Sequence, residues 1–255
     1  MSGARLAAHQ FRYEQKIFWR NVPAVFFSLV LPLLFLLIFA TIFGGQTDSQ
    51  RKITLDAYYV PGIVSLGVIS ATLLNIAMSL SIQREEGILK RLRSTPLPTS
   101  VFVLGRAVGA VVNAYLIAAV IMLAGLLLYG VELSPERLLG AALVVSVAAA
   151  AFCCLGFALT ILIPNGDAAP AVTNAIVLPL YFISGVFFPV DDAPQWLNTV
   201  ANIFPIKHFV NAMLDVYSNT GSGLGIDSID LAIIAIWGLV GLLLAVRYFR
   251  WTPSR

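Results

Sequence analysis

Six apolar runs decide what this chain can fold into. They occupy residues 22–43, 57–82, 107–129, 138–163, 168–188 and 229–246, the last being the shortest and carrying Asp230 at its mouth. A helix rises about 1.5 Å per residue, so roughly 20 residues cross the hydrocarbon core of a bilayer. Lipid offers the backbone no water, so a crossing segment must bond its own N–H and C=O groups as a helix. The runs therefore predict an all-α integral membrane protein, one transmembrane domain over residues 1–255 with six transmembrane helices. Only 11% of its residues are charged, against about a quarter in soluble domains. The run 22–43 is too long for a signal-peptide core and no small-residue cleavage site follows it, so it reads as a retained span.

Charge sets the direction of these spans. Cationic loops beside spans stay in the cytoplasm. With both termini and residues 83–106 inside, every basic residue is cytoplasmic except Arg51, Lys52, Arg137 and Lys207. Asp48, Asp56, Glu132, Glu136, Asp191, Asp192, Asp215, Asp227 and Asp230 then fall outside. The expected location is the cell membrane, multi-pass, with both termini cytoplasmic and 44–56, 130–137 and 189–228 external. The basic residues flank spans rather than forming one exposed face, so the net charge of +3 reflects topology, and no nucleic-acid partner is expected.

Between the second and third runs lies a charged, proline-punctuated island, residues 83–106. It holds Arg84, Lys90, Arg91, Arg93 and Arg106, the densest basic cluster in the chain. Glu86 precedes Lys90 by four residues, the favourable order for a helical ion pair. Pro96 and Pro98 stop that helix, and Thr99 or Ser100 can cap a short surface element beginning near Val101.

Residues 1–21 place Arg5, His9, Arg12, Lys16 and Arg20 at intervals of four, three, four and four, one face of a helix. Leu6, Phe11, Tyr13, Ile17 and Phe18 lie mostly opposite, interrupted by Gln10 and Glu14. The pattern predicts an amphipathic helix in the interface, its basic face toward membrane lipid headgroups or a partner; the plainer reading is a positive flank that fixes topology. At the other end, 189–228 carries two apolar stripes, Trp196–Leu197–Val200–Ile203–Phe204 and, after Pro205, Ile206–Phe209–Val210–Met213–Leu214–Tyr217. Both have helical spacing and neither is long enough to span, which predicts two short re-entrant helices dipping into the outer leaflet before the last span.

Several chemistries are missing. There is no Gly-x-x-x-x-Gly-Lys-[Ser/Thr] phosphate loop, so the chain is not expected to hydrolyse nucleotide, and it is not read as an enzyme. His9 and His208 are the only histidines and stand far apart in sequence, so no metal site or histidine triad is expected. Cys153 and Cys154 are adjacent within an apolar run, where a disulfide between neighbours is strained; they read as small apolar fillers. No acid or base lies near the middle of a span, which disfavours a proton-coupled transporter. The spans hold uncharged polar residues instead: Thr72, Asn75, Ser79, Asn113, Tyr115 and Asn174. Such groups either bond across helices or line a substrate path. Gly105 and Gly109, four apart, would allow close helix approach but form a weak motif.

The whole pattern resembles a known family. Residues 84–97, Arg-Glu-Glu-Gly-Ile-Leu-Lys-Arg-Leu-Arg-Ser-Thr-Pro-Leu, and 183–189, Ile-Ser-Gly-Val-Phe-Phe-Pro, are similar to motifs of the permease subunits of type-2 ATP-binding-cassette (ABC) exporters, the daunorubicin/doxorubicin-resistance permeases most of all. The resemblance implies two permeases, identical or related, pairing around a central path above two cytosolic ABC ATPase subunits. The island becomes a cytoplasmic coupling helix docking on the ATPase through Arg84, Glu85, Glu86, Gly87, Lys90, Arg91, Arg93 and Pro96. The helix bearing Arg5, Arg12, Lys16 and Arg20 braces against it. Phe188, Trp196, Phe204 and Pro205 form an external gate, and Thr72, Asn75, Ser79, Asn113 and Asn174 are the candidate substrate path. ATP and Mg are expected on the partner and no cofactor on this chain, whose length leaves no room for a fused nucleotide-binding domain. Hydrophobic drugs or lipid-like compounds are the expected cargo, with polysaccharide, lipid or haem as alternatives. A channel or scaffold subunit without an ATPase is the non-transporter reading.

Overall fold

A computed structural model of the chain describes residues 3–43, 55–94, 99–190, 193–218 and 223–249; the side chains of 3–8, 56, 93, 99 and 100 lie outside that description. Among the described residues all regular structure is helical. The elements are α1 (Gly3–Arg20), α2 (Val22–Phe43), α3 (Leu55–Ile69, continuing through Asn75–Glu85), α4 (Ile88–Arg93), α5 (Thr99–Tyr129), α6 (Pro135–Leu159), α7 (Ala169–Ile183), α8 (Gln195–Ala201), α9 (Pro205–Tyr217) and α10 (Ser228–Tyr248). The external loop expected over 44–56 falls mostly outside the described residues.

Among the described residues five helices are long and apolar enough to cross a membrane: α2, α3, α5, α6 and α10. The expected fifth span differs. Its helix, α7, is 15 residues long and ends at Ile183, about 22 Å at the α-helical rise and short of a hydrocarbon core of about 30 Å. The apolar run continues, but Ser184 and Gly185 (φ 81°) turn the chain out of the helix. Hydropathy reads straight through such a turn because Val186 and Phe187 are as apolar as the helix before them. The Tyr58 hydroxyl holds the turn, donating to the Gly185 carbonyl at 2.6 Å. Phe187 and Phe188 join an aromatic cluster with Phe35, Phe39 and Phe43.

Helix α3 is the axis of the fold, 83% of its apolar window being buried. Helices α2, α5, α6 and α9 pack around it, and α10 lies against α6. Both α2 and α3 contain one wide π turn, Phe26–Val30 and Ser70–Leu74. The first precedes Pro32, whose ring crowds the carbonyl four residues back and has no N–H to donate. Hydroxyls in α3 are satisfied along the helix itself: Ser65 donates to Pro61, Thr72 to Val68 and Ser81 to Ala77.

Two more boundaries depart from expectation. The short surface element predicted near Val101 is the first turn of α5, a continuous 31-residue helix; nothing between Val101 and Tyr129 breaks a helix, so the segment and the third span fuse. Helix α9 is enclosed by protein. All but two of its residues are buried, against α3, α6 and α10. Its apolar stripe faces protein, and the polar residues between the stripe positions find partners in neighbouring helices.

Candidate functional site

The island is built as a rigid corner. Helix α3 ends at Glu85, Glu86 caps it, and Gly87 (φ 71°) reverses the chain into α4. That conformation is open to glycine at little steric cost. The break means that Glu86 and Lys90 share no helix, so the predicted helical ion pair gives way to another arrangement in which Arg91 Nη2 donates to the Glu86 carbonyl at 3.1 Å. Leu89 is completely buried in a cluster with Ile76, Leu80, Phe102 and Phe157, which pins α4 face-down. Lys90 and Arg91 point out. Arg93's side chain and Pro96, together with the caps expected at Thr99 and Ser100, lie outside the described residues.

Arg84 turns inward. It is 5% exposed, and its guanidinium donates to the carbonyls of Thr160 (3.1 Å) and Ile163 (2.5 Å), just past the end of α6. Helix C-termini leave carbonyls without intrahelical partners and carry the negative end of the dipole, so a buried cation is well placed there. Glu85 reaches the same turn, accepting from the Gly166 amide. Together they stitch α3 to the α6–α7 connection. Beside the stitch, Ile82, Glu85, Glu86, Gly166, Asp167 and Pro170 line an open cleft. The exposed face of the island is thus Glu85, Glu86, Lys90 and Arg91, beside Asp167.

A second junction ties in α1. Gln10 and Glu14, which interrupt the apolar face in the sequence, are the residues that dock it. Both are buried against α5, where Gly105 and Gly109 leave room for their side chains. Glu14 lies 3.8 Å from Arg106, which also donates to Gln83 and Ser79. Gln15 donates to the Gly109 carbonyl. The apparently weak glycine pair therefore forms the seat of α1, and His9, Arg12, Lys16 and Arg20 remain exposed on its free side. Arg5's side chain is outside the described residues.

The candidate path residues separate. Thr72 is completely buried and bonded to its own helix. Asn75, Ser79 and Asn113 meet at a small cavity under α1, while Asn174 lies half-buried on α7. Tyr115 donates to Ala142 and so joins α5 to α6.

Comparison with known sequences follows from this geometry. The profile of the ABC-2 type transporter family matches residues 9–217, from the docked α1 through the buried α9. The chain belongs to that family. The daunorubicin resistance ABC transporter permease protein DrrB1 of Streptomyces coeruleorubidus is 25% identical to it over 236 residues, 91% of this chain and 82% of the relative. The inner membrane transport permease YadH of Escherichia coli is 20% identical over 215 residues, 84% of this chain and 80% of the relative.

The opposite end of this ABC-2 permease holds the residues expected to form an external gate. Phe188 packs on Phe39 and Phe43. Phe204 stacks on Trp237 of α10, whose indole N–H donates to the Ile203 carbonyl at 2.8 Å. Pro205 opens α9, where a missing N–H costs nothing. Trp196 stays apart, 68% exposed.

Sequence reasoning missed the polar clasp beside this gate. His208 on α9 pairs through Nδ1 with Asp230 of α10 (2.5 Å) and through Nε2 with the Asn202 carbonyl (2.8 Å). A carbonyl only accepts, so Nε2 donates to Asn202; wherever Asp230 is ionised, Nδ1 donates as well and the ring carries both protons. Arg137, at the start of α6, donates to the carbonyls of Asp215 and Val216. Lys207 donates to Asn198. The carboxylates of Asp215, Asp227 and Asp230 lie within 4.8 Å of one another. Asp227 caps α10 and Asp230 holds His208. The one available signal was that His208 and Asp230 both stand beside apolar stripes; their pairing is a long-range fact.

The clasp makes a pH prediction. The hydrogen bond that His208 donates to Asp230 chiefly, helped by the Asn202 carbonyl and opposed by burial and Lys207, holds the His208 pKa above its ordinary value. A folded-state value above the unfolded one gives stability fully present below about pH 6.5 and lost as pH climbs through the raised value. Thermal unfolding of wild type between about pH 6 and about pH 9 should therefore show a steeper fall in Tm than His208→Asn. Parallel slopes would mean that the imidazolium adds nothing.

Proposed function

We propose that the chain is the membrane-crossing subunit of an ATP-driven exporter and transmits the action of a separate cytosolic ATPase through its island. The observation that carries this reading is how the island is fastened. Its outer face offers Glu85, Glu86, Lys90 and Arg91, while Arg84 grips the α6–α7 connection and Arg106 grips α1 and α3. A push on the exposed face is passed to α1, α3, α5, α6 and α7 together. Hydrolysis of ATP with Mg would be the partner's chemistry. This chain's residues receive the motion.

In this reading the chain makes six passages, α7 and the buried 184–187 turn forming the fifth, with both termini and the island in the cytoplasm. A second copy or a related permease completes the path, and the basic face of α1 meets lipid headgroups. The name of DrrB1 supports hydrophobic drugs as the cargo class.

Two experiments bear on it. In a background lacking Cys153 and Cys154, single cysteines at Glu132, Gln195 and Ser94 should react with an impermeant thiol reagent in intact cells only at the first two; labelling at Ser94 would invert the topology. For coupling, Glu86→Gln removes an exposed charge that holds no side-chain bond across the fold, so membrane levels should match wild type. The variant should lose either ATPase co-purification or substrate-stimulated hydrolysis. Wild-type values in both assays would leave Glu86 a solvated charge and defeat the docking role.

A further inference from the structure

A cavity of about 20 Å³ lies between α1, α3 and α5, walled by Glu14, Asn21, Asn75, Ser79, Arg106 and Asn113. Asn113 is 2% exposed, and its side-chain oxygen has no hydrogen-bond partner among the described residues. A buried amide oxygen without a partner is rare in folded proteins. The groups around it are largely committed: Ser79 to Asn75 and Arg106, Asn21 to the Ala24 amide, Glu14 to Gln10 and Arg106. We propose that this cavity is a binding site for one structural water, which donates to Asn113 and bridges it to the polar groups of α1 and α3.

Size and charge select the ligand. The cavity holds one water, which needs roughly 10–15 Å³ and two to four polar partners; an organic group does not fit. A cation is disfavoured because Arg106 already neutralises Glu14. What remains is a neutral molecule of one heavy atom that both donates and accepts. The site gives α1 a water-mediated joint to α3 and α5 beside its direct bonds, so that a small shift of α1 exchanges water contacts without stranding Asn113.

Radiolytic hydroxyl labelling tests this on the full chain in lipid nanodiscs, since a bound water split by X-rays modifies the side chains beside it. Phe18 and Ile76 line the cavity, whereas Phe152 and Ile63 are equally enclosed elsewhere. Phe18 and Ile76 should be hydroxylated several-fold faster than Phe152 and Ile63. In Asn113→Leu, which removes the acceptor at similar volume, their rate should fall to that of the controls. Equal rates for the two pairs in wild type would overturn the proposal without any variant. So would an unchanged rate in a folded Asn113→Leu.

Discussion

Arg84→Met should destabilise the protein more than any change on the exposed face of the island. Hydrogen bonds from its guanidinium end on the carbonyls of Thr160 and Ile163 at a buried helix terminus. A hydrogen bond to a charged group contributes about 1.5–3 kcal/mol, and its loss here strands carbonyls that water does not reach. Two such bonds set the expected cost at about 3 kcal/mol or more. Thermal unfolding in detergent should show a large fall in Tm with reduced yield of folded protein. Arg84→Lys keeps the charge but lacks the planar fork, so it should fall between the two. A variant with methionine and an unchanged Tm would show that the α6–α7 turn holds itself. The contrast with Glu86→Gln is the point. One residue fastens the corner and should be read in stability, the other faces outward and should be read in coupling.

The second large effect is expected at Gly62. A Cβ there would sit 2.6 Å from the Val186 carbonyl oxygen, a backbone atom. That strand of chain cannot retreat easily, because Tyr58 holds the adjacent Gly185 and Phe187 is wedged among aromatic rings. Gly62→Val should cost about 1–3 kcal/mol or more by overpacking. Gly105→Ala also makes a close contact, but with Cγ and Cβ of the Gln10 side chain rather than with backbone. Measured Tm values should rank Gly62→Val well below Gly105→Ala. Equal losses would mean that the 184–188 turn yields as readily as a side chain.

How far the sequence told this in advance depends on the range of the interaction. The long apolar helices were legible because crossing lipid is a local property of composition and length. The Pro205 break was legible for the same reason, since proline acts on its own turn. What was not legible was the partner of each polar residue. Gln10 and Glu14 looked like flaws in an apolar face until Gly105, Gly109 and Arg106 arrived from α5. Arg84 looked like one more basic residue of the island, and only the carbonyls at the end of α6 turn it inward. The stripe of α9 announced one buried face; that Lys207 and His208 are buried as well follows from Asn198, Asn202 and Asp230 closing on them. Even the short α7 obeys this rule, because its end is fixed by a tyrosine on another helix.

The enclosure of α3 also orders events during biogenesis. A helix apolar on every side is at ease in lipid and equally at ease inside protein. Helix α3 emerges from the ribosome before α5, α6, α9 and α10 exist, and its first surroundings are α2 and acyl chains. Those lipids must leave as each later helix arrives, and the last large displacement waits for α9, near the C-terminal end. The axis of the finished fold is therefore an early tenant of the membrane whose remaining neighbours are supplied only as later helices are made.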